Sequence, residues 1–182
     1  MAIGEVRVET KHGSDDELRT KALLEGLMAE HDLSRFTFTH DVRIDENAIP
    51  HSHPVLTMST RFMVRSRNGA LADYLHEQLH WYVSQHRRAA RDADKAWRKT
   101  FGAVPRAAGG GAKTRRSTRL HLTVNWLEFE ALSEVVGRDA ATDVLHEKAN
   151  GRIYPWVYRQ VVDRYDEIGA VLNRVGLAQN FA

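Results

Sequence analysis

Leu71-Ala72-Asp73-Tyr74-Leu75-His76-Glu77-Gln78-Leu79-His80-Trp81-Tyr82-Val83 is where the chain changes period. Leu71, Leu75, Leu79, Tyr82 and Val83 return to one face at helical spacing, which predicts a helix from about Ala70 to at least His86. His76 and His80, four residues apart, project from the border of that face one turn from each other. The five residues from His76 to His80 form an H-E-x-x-H pattern. Two imidazoles so spaced can bind one zinc ion. Glu77 lies about 100° round the helix and can reach a metal-bound water as a general base.

Upstream the signals differ. Asp15 to His31 is amphipathic, with Leu18, Ala22, Leu23, Leu27 and Met28 at helical spacing and Ser14 placed to cap it. Phe36 to Ile44 alternates apolar and polar residues, and Val55 to Val64 forms a second strand candidate across the proline-bearing turn Asp45–Pro54. Asn68-Gly69 then marks a turn or a helix start.

Downstream, Arg87 to Lys99 continues the first helix or forms another. Gly109-Gly110-Gly111 reads as a mobile loop. Ser117 caps a helix, or a short strand leading into one, that ends near Val136-Gly137. Ala140–Asn150 and Pro155–Val175 read as two more helices. No internal repeat is present. The order is that of an α+β fold, a small antiparallel-edged sheet followed by a mostly helical C-terminal half, in a single domain over residues 1–182.

Composition narrows the chemistry. The 182 residues contain no cysteine, so disulfides, thiolate zinc sites and iron–sulfur clusters are excluded, and a metal must be held by His, Asp or Glu. That composition fits a reducing cytosol, and a cytoplasmic location is expected. The first residues, Met1 to Val6, have no basic start or apolar run of the kind a secretion signal needs. No stretch approaches the roughly 20 apolar residues that cross a bilayer. A formal net charge of +2 argues against a dedicated nucleic-acid binder.

A catalytic zinc takes a third protein ligand. In Asn125 to Val136, Phe129, Ala131, Leu132, Val135 and Val136 define an apolar face, and Glu128 falls within it. A carboxylate there is costly unless paired or metal-bound. His121 and Asn125 extend the same side. Two assignments stand open: Glu128 as ligand with His121 steadying an oxyanion, or His121 as ligand with Glu128 supporting a zinc-bound histidine.

The H-E-x-x-H helix followed by Asn125-Trp126-Leu127-Glu128 resembles the gluzincin branch of zinc metallopeptidases, over roughly Phe36 to Gly137. The resemblance implies a small sheet, a zincin-type active-site helix and a glutamate-bearing helix. It also implies an edge strand, placed at Val55–Val64, to which an extended substrate adds. The implied ligands are His76, His80 and Glu128, with Glu77 and His121 catalytic. The implied activity is zinc-dependent hydrolysis of a peptide or other amide bond, with a peptide or protein as partner. Two alternatives are a zinc-binding protein of peptidase-like fold with altered catalysis, and a nucleic-acid-associated module. The last would use Arg87, Arg88, Arg91, Lys113, Arg115, Arg116 and Arg119.

His51 and His53, among prolines and a turn, read as loop polarity or cleft lining. His146 reads as a solvent-facing residue, and Tyr154, Trp156 and Tyr158 as packing residues.

Overall fold

The sheet starts earlier than the sequence suggests. The computed structural model describes residues 5–61 and 66–178, and its first strand is β1, Arg7–Thr10. Helix α1 (Asp15–Glu30) follows, capped by the Ser14 hydroxyl accepting from the Glu17 amide, and then β2 (Asp41–Ile44) and β3 (Leu56–Met58). The strand order is β1-β2-β3 and both pairings are parallel, with Val8 beside Val42 and Val42 beside Leu56.

This corrects the expected antiparallel-edged sheet. Alternation of side chains reports a strand without reporting its direction, and β1, four residues long, gave too little alternation to read. A helix between β1 and β2 carries the chain back to the starting end of the sheet, so the two strands run the same way. Loop 45–55 does the same between β2 and β3. The antiparallel contact among the described residues is a single bridge in which His51 and Thr57 exchange both backbone hydrogen bonds, at 3.0 and 2.8 Å. The expected strand Val55–Val64 is therefore short, and its residues 62–64 lie outside the described segment, as do residues 1–4 of the N-terminal reading.

The chain forms two compact units, Met1–Tyr82 and Val83–Ala182. In the first, Val8, Val42, Ile44, Leu56 and Met58 make a buried sheet face, and α1 buries Leu24 and Leu27. Glu17, on α1, is also buried. Its carboxylate accepts from the backbone amides of His12, Gly13 and Glu46, at 2.7, 2.9 and 3.1 Å. One side chain thus joins the turn after β1 to the loop after β2. Burial would raise its pKa, but these three donors outweigh burial and hold it below the usual glutamate value. Helix α2 spans Arg67–Gln85, earlier at its start than the sequence suggests, with Asn68-Gly69 in its first turn. The Ser66 hydroxyl accepts there from the Gly69 amide at 2.9 Å.

The second unit is helical: α3 (Arg87–Phe101), α4 (Arg115–Val136), α5 (Arg138–Ala149), α6 (Pro155–Asp163) and α7 (Tyr165–Val175). Helix α4 touches the other four and is buried almost continuously from Thr118 to Leu132. Its cap is Thr114, three residues before the expected Ser117, and Leu120–Val124 is helical throughout. The single helix expected over Pro155–Val175 breaks at Arg164.

The glycine triplet is a packed turn. Gly110 has φ +84°, and its carbonyl accepts from the Trp156 amide at 3.0 Å. A Cβ at Gly111 would stand 2.4 Å from the Pro105 carbonyl oxygen, so only glycine fits.

Candidate functional site

In the first unit, the predicted stripe of α2 is buried: Leu71, Leu75 and Leu79 have no exposure and Tyr82 has 1%. Gln78, inside the H-E-x-x-H segment, is also fully buried. Its Oε1 accepts from the amides of Phe38 and Thr39 at 2.8 and 3.0 Å. Its Nε2 donates to the Thr39 carbonyl and the Tyr74 hydroxyl at 2.9 and 2.8 Å. A side-chain amide used this completely fixes the rotation and height of α2 against the segment entering β2. The sequence reading passed over it because a glutamine between two histidines looks like spacing.

That clamp sets where the histidines point. The Nε2 atoms of His76 and His80 face each other at 3.2 Å, with the rings at 75°. His76 and Glu77 are buried and His80 is half-buried. Residue Trp81 ties the same helix to loop 45–55: its indole N–H donates to the Ser52 carbonyl at 2.7 Å, and His53 stacks on it at 4.1 Å. His51 turns its Nδ1 to the Ile49 carbonyl at 2.8 Å, consistent with a loop-forming role.

Helix α4 of the second unit carries the other predicted residues. His121 is buried, and its Nδ1 donates to the Ser117 carbonyl at 2.7 Å, which leaves Nε2 as the basic nitrogen. Burial pushes the imidazole pKa below its usual value. The bond to Ser117 and the charge of Glu128 pull the other way without reversing the shift, so the ring is held neutral. Tyr154, half-buried, lies on this ring at a centroid distance of 4.1 Å and adopts φ +51°, a costly conformation for a non-glycine residue.

Glu128 is 3% exposed. Its Oε1 accepts from Lys148 Nζ at 2.6 Å and its Oε2 from the Tyr158 hydroxyl at 2.9 Å. Tyr158 reads from the sequence as a packing residue, and no sequence signal singles out Lys148. Their role depends on α5 and α6 folding against α4, which no local pattern encodes. Asn125, between His121 and Glu128 along the helix, has no exposure, and neither Oδ1 nor Nδ2 has a hydrogen-bond partner among the described residues.

The basic residues divide. Arg119 is buried and its Nε donates to Asp94 at 2.6 Å, where Asp94 also receives Arg98. Burial works against the Asp94 charge, but the two arginines hold its pKa below the usual aspartate value. Arg87, Arg88, Arg91, Lys113, Arg115 and Arg116 are exposed, as is His146.

In the first unit His12, Glu17 and Asp45 also bring ligand atoms close together. Glu17 is committed to backbone amides and Asp45 to Lys11 at 2.7 Å, so the protein itself accounts for the cluster. No helix among the described residues is long and apolar enough to cross a membrane. Comparison with protein-family models, curated proteins and solved structures finds no match.

Proposed function

We propose that the chain is a zinc-dependent hydrolase of peptide or other amide bonds, working on the His76-Glu77-Gln78-Leu79-His80 segment. The observation that carries the reading is the approach of the two Nε2 atoms to 3.2 Å. Two imidazole nitrogens, each 2.0–2.1 Å from a tetrahedral zinc, stand about 3.3–3.4 Å apart, so the pair is spaced for that ion. Gln78 supports the reading by holding the helix that presents them. His76 and His80 would hold the zinc, which would supply an acidified water and a Lewis acid for the substrate carbonyl. Glu77 would act as the general base, taking a proton from the attacking water and passing it to the departing nitrogen.

For the third ligand, the hydrogen bonds of α4 favour His121 over Glu128. His121 is neutral, with its Nδ1–H oriented by a carbonyl, the usual setting of a ligating imidazole. Glu128 has one oxygen on Lys148 and the other on Tyr158. A buried Leu132 follows it by one turn, where the gluzincins usually carry an acid. The absence of cysteine accords with a protein working in the reducing cytosol.

Metal analysis of purified protein tests the reading. About one zinc per chain is expected, and the double variant H76A/H80A should lose it; unchanged metal in that variant ends the proposal. Glu77→Gln should keep the zinc and lower hydrolysis of a substrate found by peptide-library screening by about 10²–10⁴-fold. His121→Ala should weaken zinc binding far more than Glu128→Gln. The opposite order returns the third ligand to Glu128.

A further inference from the structure

The small net charge conceals two unequal halves. Residues 1–82 hold 9 Lys and Arg against 13 Asp and Glu, whereas residues 83–182 hold 17 against 11. The excess is local: residues 87–119 carry 11 cations and 2 acids, Asp92 and Asp94. Such asymmetry points to an anionic partner for the basic part.

The second unit gathers these charges on one surface. At 100° per residue, Arg87, Arg88, Arg91, Lys95, Arg98 and Lys99 of α3 fall within about 120° of arc. The opposite side is buried and carries Ala93 and Trp97. Asp94 joins α4 to this surface, accepting from Arg98 of α3 at 3.0 Å and from Arg119 of α4 at 2.6 Å. Arg115 and Arg116 precede Arg119 by one turn and extend the surface along α4. Asp92 is taken by Lys95 at 2.9 Å. Arg87, Arg88, Arg91, Lys99, Arg115 and Arg116 are exposed, with no carboxylate in ion-pair distance among the described residues. Gathering unpaired like charges opposes folding, and no packing contact requires it.

The side chains select among anions. Five of these six cations are arginines, whose planar guanidinium pairs with two phosphate oxygens at once. No large apolar side chain is exposed on α3 or on the first turns of α4, so the surface has nothing to sink into a bilayer and no ring on which an unpaired base could stack. We propose that this surface binds the phosphate backbone of a duplex nucleic acid, without regard to base sequence. It uses none of the residues of the hydrolase reading, so either can fail alone.

The test uses the full chain, labelled duplexes of unrelated sequence, in DNA and in RNA, and vesicles containing phosphatidylserine. Engaging about five phosphates, the chain should bind different sequences alike and lose affinity about 10²–10³-fold between roughly 50 and 200 mM salt. The tighter arm, DNA or RNA, names the duplex. R87E/R91E should weaken binding at least about tenfold at the lower salt. R19E/R152E, which changes net charge equally through exposed arginines outside α3 and α4, should weaken it by about threefold at most. An acid suits the first turn of a helix, so α3 should survive Arg87→Glu, as circular dichroism will show. The milder R87Q/R91Q should reduce the slope of log affinity against log salt by about 2. Equal losses in R87E/R91E and R19E/R152E, or no duplex binding, would overturn the proposal. Binding to the vesicles alone would overturn it too and give the surface to a membrane.

Discussion

Gln78 and Asn125 are both fully buried carboxamides on long helices, and they differ in every other respect. Gln78 uses its oxygen twice and its nitrogen twice, on the segment entering β2 and on Tyr74. Asn125 uses neither among the described residues. Burial and the carboxamide group are the same, so neither property tells whether the fold uses the amide. The partners do. An interior amide that the fold satisfies is part of the architecture, whereas one that it leaves open is not.

The contrast can be broken by substitution. The largest effect is expected at Glu128, the engaged neighbour of Asn125. Glu128→Ala removes the buried carboxylate that accepts from both Lys148 and Tyr158, at about 3–5 kcal/mol. Urea titration followed by the fluorescence of the second unit's tryptophans measures it, and a loss below 1 kcal/mol would show that Lys148 escapes to water. Next comes Gln78→Leu, which strands the amides of Phe38 and Thr39 and should cost about 2–4 kcal/mol. A Gln78→Leu protein as stable as wild type would erase the distinction from Asn125.

The smallest effect is pH-dependent. The Glu17 pKa is lowered on folding, so its contribution is fully present above the unfolded glutamate value and is lost as pH falls through the lower folded one. Glu17→Gln should therefore lower Tm by about 2–4 °C at pH 7, and the difference from wild type should shrink below pH 4. A difference that is constant from pH 7 to pH 3 would mean that the charge is not what the three amides select.

Much of this was readable in the sequence, and the limits are physical. The α2 stripe, the Ser14 cap and the end of α4 at Gly137 follow from local spacing and backbone needs, and each is found where expected. Strand direction was not readable, because pairing depends on where α1 returns the chain. The glycine triplet was misread as a mobile loop because composition reports freedom, while Trp156 and Pro105 remove it. At the site, the positions of His76 and His80 were legible from a four-residue interval. The partners of Glu128 come from helices 20 and 30 residues on, and no interval announces them.

Loop 45–55 has a consequence for how this protein can vary. Surface loops ordinarily absorb insertions and deletions with little penalty. Here His51 is in register with Thr57 on β3, while Ser52 and His53 are fixed to Trp81, the residue after His80. Adding one residue between His51 and Ser52, where the two anchors meet, would slide one relative to the other. The loop is therefore a gauge of fixed length between the sheet and the histidine helix. Lineages and engineered variants should be able to change its side chains far more readily than its residue count.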